Sequence, residues 1–233
     1  MTASACAATI AAVIAAGAAL SDQLIRIYPT TLLSRHVAGM EDTNRRLAAL
    51  MAQMEREDEN NATGTSTKGG FQTLENLLAG DHHHANHPAL LTLKAHIAQA
   101  INDYVGLLVE QECNKPPARV KFQTWGWGVT LRAGNWQGHH VHPNANISGV
   151  YYVSAPPVAL DNGREEGKIS FYDPRPRANM NQLLNQFTRH FLAPVPGDMV
   201  VFPSWLEHSV APFQGEGERI CIAFNAKLEL SMV

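Results

Sequence analysis

Apolar positions recur along this chain with two different periods, and the change between them near residue 116 organises the reading. From His36 to Arg56, Leu47, Leu50, Met51 and Met54 fall three to four apart among charges, which predicts an amphipathic helix. NNATGTSTKGG, residues 60–70, is a polar loop. A short helix is expected over Gln72–Ala79, with Gly80 as its C-cap. Pro88 suits the first turn of a longer helix, whose buried stripe runs through Leu93, Ile97, Ile101, Tyr104, Val105 and Leu108 until Lys115-Pro116-Pro117 ends it.

Beyond Pro117 the period shortens towards two. Strands are predicted over Val120–Leu131, Ile147–Val153, Lys168–Tyr172, Met199–Phe202 and Arg219–Phe224, with Gly, Pro, Asn and Asp between them. Gln182–Phe191 reads as a short helix or a loop lid. Many short strands without βαβ alternation point to an α+β chain: a sandwich or closed jelly roll with supporting N-terminal helices. The expected organisation is an Ala-rich extension over residues 1–20 and one domain over 21–233, with helical support over 21–115 and the β core over 116–233.

Composition narrows the function classes. A chain of 233 residues can bury a substantial core. Its net charge of −3 and lack of any Lys/Arg run argue against nucleic acid as a partner. Cys6, Cys113 and Cys221 are odd in number and far apart, which argues against a disulfide framework and for a reducing compartment, the cytoplasm by default. The opening stretch MTASACAATIAAVIAAGAAL has no positive charge before Arg26 and is too weakly apolar for a span. It is read as a helical or disordered extension with no membrane role, a poor signal peptide being the alternative.

The candidate chemistry lies in the β region. Residues i and i+2 of a strand face the same way, so His140 and His142 can offer two imidazoles to one metal, and a jelly roll can return His208 beside them. In the last predicted strand, Arg219, Cys221, Ala223 and Asn225 share one face and Ile220, Ile222 and Phe224 the other. The bulky face should pack on the helices. The face with small residues and one arginine suits a pocket floor that binds a dicarboxylate, because a guanidinium pairs bidentately with carboxylate.

Four ordered stretches carry a family resemblance: HVHPNANISGVYYV from His140, FYDPR from Phe171, PGDMVVFPSWLEHSVAP from Pro196 and RICIAFN from Arg219. With WGWGVTLRAGNWQGHH upstream and the early YPTTLLSRHV region, the chain from about residue 24 onward resembles the 2-oxoglutarate/iron(II) oxygenase family of bacteria and phages. The resemblance implies a double-stranded β-helix, iron(II) and 2-oxoglutarate as co-substrate. It implies hydroxylation of a substrate C–H bond, with release of succinate and CO2. His140 matches the proximal metal histidine and His208 the distal one. The position that holds an acid in related oxygenases is His142 here, which is favoured as the third ligand; Asp173, or a water held by Asn144, is the alternative. Arg219 matches the arginine that holds the co-substrate, and Tyr152 is expected as a second contact, with Ser148 on its face and Tyr151 turned into packing. Asn225 is expected near the site.

Other conspicuous residues have plainer readings. His139 should face away from its neighbour, as should Glu207, and the DHHHANH tract at residues 81–87 reads as a solvated loop. Trp125, Trp127 and Trp136 suit packing or the rim, Trp205 shapes the turn before His208, and Cys221 is a small buried thiol. Two rival functions compete with a hydroxylase: a three-histidine cupin-type dioxygenase that uses no keto acid, and a non-catalytic jelly-roll binding protein. The substrate class is a small molecule or a peptide or protein side chain, and the oligomeric state is open, a homodimer included.

Overall fold

The computed structural model describes residues 28–57, 66–113, 120–161, 163–176 and 189–229. Contacts divide the chain after Thr30, and the fold below belongs to the unit from Thr31 to Val233. The elements run β1 (Leu33–His36), α1 (Glu41–Arg56), β2 (Thr67–Lys68), β3 (Phe71–Gln72), α2 (Pro88–Cys113), β4 (Lys121–Leu131), β5 (Trp136–His140), β6 (Ile147–Ser154), β7 (Ile169–Tyr172), β8 (Arg189–Leu192), β9 (Asp198–Pro203), β10 (His208–Val210) and β11 (Arg219–Glu229).

The strands form two antiparallel sheets, ordered β1-β9-β6-β11-β4-β3 and β2-β5-β10-β7-β8. This is the sandwich of an α+β, double-stranded β-helix fold. The alternation of β11 sorts its side chains into two cores. Ile220, Ile222 and Phe224 join Leu47 and Met51 of α1 and Leu93 of α2 on the outer side of the six-stranded sheet. Cys221 joins Val150 and Phe202 of that sheet and Phe171 and Val210 of the other, in the layer between the sheets. Tyr151 takes the helical side, where its hydroxyl donates to Asn44 Oδ1 at 2.7 Å, and Tyr152 takes the inner side.

Helix α1 begins at Glu41 rather than His36, because Leu33–His36 pairs with β9 as an edge strand. Acidic Glu41 and Asp42 in its first turn and Arg56 in its last complement the helix dipole. Helix α2 opens at Pro88 as its sequence predicts; Lys115-Pro116-Pro117 lies outside the described residues. The helix expected over Gln72–Ala79 does not form. Phe71–Gln72 is a strand and the following residues turn, because the backbone is captured by β4: Thr73 N–H donates to Gly128 O and Gly126 N–H to Glu75 O, both at 3.0 Å. Strand β11 runs five residues beyond the predicted Phe224, since β4 pairs with it over its whole length. Of the Gln182–Phe191 stretch, Arg189 onward is strand β8 and the rest lies outside the described residues, as do residues 1–20. Among the described residues no helix is long and apolar enough to cross a membrane.

Candidate metal and co-substrate site

His140 ends β5, His208 begins β10, and the two are direct partners across that ladder. His142 lies just past β5, where its N–H donates to Ser204 O at 2.9 Å. Asn144, with a φ of 71°, makes the tight turn that follows; Asn tolerates this left-handed conformation better than most residues. One potential ligand atom from each of the three histidines lies within 4.8 Å of the others. Among the described residues no other group of three His, Cys, Asp or Glu side chains converges in this way.

The ring orientations are fixed from behind. Nδ1 of His140 donates to Gly138 O at 2.7 Å and Nδ1 of His208 donates to Leu206 O at 2.9 Å; a carbonyl can only accept, so each Nδ1 carries the proton. Each Nε2 is thereby left with its lone pair, the tautomer a metal requires. Nε2 of His142 is 3.3 Å from Nε2 of His208. Two nitrogens at right angles on one ion, each about 2.1 Å from it, would be about 3 Å apart. Burial, more than any other cause, depresses all three basicities: His142 falls to about 4, His140 falls, and His208 falls well below its ordinary value. All three are therefore neutral at pH 7.

A β-bulge shapes the adjoining cavity. His208 pairs with His140, but Val210, two residues on, pairs with Gln137, three residues back. The extra residue on β5 lets Gln137 and His140 line the same cavity, which strict alternation would forbid. Gln137 was not foreseen; a glycine, Gly138, inside a short strand was the available signal. Trp127, treated above as packing or rim, also lines the cavity, with its ring centroid 5.5 Å from that of His142.

Arg219 opens into the same cavity and is only 1% exposed. Its Nε donates to Gly167 O at 3.0 Å, one terminal nitrogen lies 3.4 Å from Cys221 Sγ, and its guanidinium carbon stands 5.2 Å from the centroid of the Tyr152 ring. Among the described residues no carboxylate lies within ion-pair distance of it. The Tyr152 hydroxyl beside it is buried without a hydrogen-bond partner among the described residues, and burial raises its pKa. A buried cation without an anion and a buried hydroxyl without a partner are each costly. Both features fit the binding of an anionic group from outside the chain.

The remaining expected residues sit elsewhere. Ser148 and Asn225 face each other across β6 and β11, Ser148 Oγ donating to Asn225 Oδ1 at 2.7 Å, and neither lines the cavity. Asp173 is outside the histidine group; its carboxylate accepts from the Arg175 guanidinium at 2.6 and 3.0 Å. His139 is exposed, its Nδ1 3.3 Å from Glu207 Oε1 and its ring tilted against that of Tyr172 with centroids 4.3 Å apart. The histidine tract is not simply solvated: His82 is buried and stacks on His83 at 4.5 Å. Trp205 is 55% exposed on the turn before His208.

Residues 126–225 match the protein family described as "Putative 2OG-Fe(II) oxygenase". No curated protein sequence matches the chain. Among solved structures, a prolyl-4-hydroxylase from Pseudomonas putida is similar, with a TM-score of 0.56 at 17% identity over 85% of this chain and 93% of that one. A prolyl hydroxylase from Trichoplax adhaerens, in complex with a peptide fragment of hypoxia inducible factor, gives 0.56 at 13% identity over 84% and 83%. The α-ketoglutarate-dependent carbocyclase SnoK of nogalamycin biosynthesis gives 0.54 at 12% over 86% and 80%. At these identities the structures speak for the fold, and the family match speaks for the chemistry. The match over residues 126–225 and the shared fold together make this chain similar to the 2OG-Fe(II) oxygenases, a family whose description names iron(II) as metal and 2-oxoglutarate as co-substrate.

Proposed function

We propose that His140, His142 and His208 hold iron(II) and that Arg219 and Tyr152 bind the far carboxylate of 2-oxoglutarate, in an enzyme that hydroxylates a small molecule or a peptide side chain. The observation that carries this reading is the buried Arg219 guanidinium, which shares a cavity with the three imidazoles and has no carboxylate partner among the described residues. When bound, the iron supplies oxidative decarboxylation of the keto acid to succinate and CO2, coupled to oxidation of a substrate C–H bond. The chain's own residues do the positioning. The Gly138 and Leu206 carbonyls aim the ligand nitrogens of His140 and His208, Gly167 O anchors Arg219, and Val129, Val150, Ile169 and Phe202 keep the cavity apolar. A peptide side chain stays in view because one similarly folded hydroxylase is in complex with a peptide fragment.

The test is an anaerobic absorbance titration of iron(II)-loaded protein with 2-oxoglutarate. A metal-to-ligand charge-transfer band is expected, lost in His208→Ala and requiring far more keto acid in Arg219→Ala. An unchanged requirement in Arg219→Ala would remove that residue from the reading. No band with iron still bound would turn the assignment towards a three-histidine dioxygenase that uses no keto acid.

A further inference from the structure

The cavity has a charge balance that its own side chains do not close. Apart from the three imidazoles, its lining is apolar except for Gln137, Cys221 and Arg219, and Arg219 is the only one of these with a formal charge. Among the described residues no Asp or Glu lines it. Glu207, next to His208 in sequence, pairs with His139, and Asp173, the alternative ligand, pairs with Arg175. The stretch from Arg177 to Thr188 contains no acidic residue.

Metal-bound imidazoles are neutral. Iron(II) brings two positive charges and Arg219 one, while the 2-oxoglutarate dianion returns two negatives, so one positive charge is left over. With a carboxylate where His142 stands, the same sum would be zero. In a cavity walled by Val129, Val150, Ile169 and Phe202 an unbalanced charge is poorly screened, and a counter-ion is favoured. Resting on the function proposed above, we infer that this site takes one monoanion together with 2-oxoglutarate, because His142 leaves in place the positive charge that a carboxylate ligand would cancel. The anion is either a carboxylate on the substrate or a free ion such as chloride.

Iron(II)-loaded full-length protein, saturated with 2-oxoglutarate without oxygen, is titrated with sodium formate and separately with sodium chloride, following the charge-transfer band. Expected is a saturable shift of the band without its loss, since the anion joins the keto acid rather than displacing it. His142→Asp, which restores the negative charge, should keep the band and bind the anion at least about ten-fold more weakly. A response to formate alone assigns the anion to a substrate carboxylate; a response to chloride as well assigns it to a free ion. No shift with either, bleaching of the band by displaced keto acid, or an equal response in His142→Asp overturns the inference and leaves the proposed function standing. Should His142→Asp fail to hold iron, the wild-type titration decides by the same criterion of co-binding against displacement. Absence of a keto-acid band before any anion is added overturns the proposed function, and this inference with it.

Discussion

His140 and His208 stand directly opposite each other across the β5–β10 ladder, their ring centroids 4.2 Å apart, and each is held from behind by a carbonyl two residues away. Two strands and two short hydrogen bonds therefore set this pair before any metal arrives. His208→Ala should reduce iron(II) affinity by at least about 100-fold, or about 3 kcal/mol. His140→Ala should do the same, as measured by competition with a chelator of known affinity. Equal iron binding by wild type and His208→Ala would remove the three-histidine centre.

Tyr152 offers a prediction in which stability and ligand binding part company. Its hydroxyl is buried with no hydrogen bond of ordinary length among the described residues, and the nearby Arg219 charge offsets only part of that burial. Tyr152→Phe should leave the urea midpoint unchanged or raise stability by about 1 kcal/mol. The same variant should bind 2-oxoglutarate about ten-fold more weakly, the loss of roughly one hydrogen bond to a charged group. A destabilised variant with unaltered keto-acid affinity would make the hydroxyl a structural group.

The sequence made some of this legible and hid the rest for physical reasons. Alternation along Arg219–Asn225 sorts large apolar side chains from small and polar ones, and the structure divides them between the two cores in that pattern. The His140–His142 spacing was equally readable, although His142 lies beyond the strand, and its N–H bond to Ser204 O rather than strand pairing holds it at the cluster. Leu33–His36 was missed because a four-residue edge strand shows too few alternations to distinguish it from a helix start. The Gln72–Ala79 stretch reads as a helix, yet it loses to tertiary hydrogen bonds with Gly126 and Gly128 that no local pattern reveals. Gln137 was hidden by the bulge, which breaks the parity that sequence reasoning relies on.

The depressed basicity of the three histidines makes metal-free protein sensitive to acid. In the unfolded chain a histidine takes up its proton near pH 6.5, whereas in the fold burial holds His142 neutral down to about 4 and also lowers His140 and His208. Between those values the unfolded state binds more protons, so stability rises with pH through the window and is lost as pH falls. The thermal midpoint of metal-free protein should fall steadily from about pH 6.5 to about pH 4, and His142→Gln should flatten that slope. A midpoint independent of pH across this range would mean that the rings are not buried as described.

Gly149 tests how closely β6 and β11 must approach. It lies opposite Phe224 in the ladder, lines the cavity, and has the Phe224 ring packed where a β-carbon would stand. That ring is fully buried against the helical layer and cannot swing into solvent. Gly149→Ala should destabilise the protein by about 1–3 kcal/mol.

Arg132 follows β4 and joins three elements. Its guanidinium reaches both carboxylate oxygens of Glu55 on α1 at 2.7 Å, and its Nε donates to Glu218, the residue before Arg219, also at 2.7 Å. The arrangement raises the Arg132 pKa and lowers that of Glu55, with the hydrogen bond between them the largest cause of each. Solvent screens the cluster, since Arg132 and Glu218 are 43% and 40% exposed, so Arg132→Ala should cost only about 1 kcal/mol. Its larger effect should fall on the co-substrate. Without Arg132, Glu218 loses the bond that holds the entry to β11, and Arg219 is less firmly placed. The keto-acid concentration needed for half-saturation should rise several-fold while iron affinity stays constant, and Arg132→Lys should recover little because one ammonium cannot serve both carboxylates. If half-saturation is unchanged and only the urea midpoint moves, Arg132 is a tie between helix and sheet and has no part in placing Arg219.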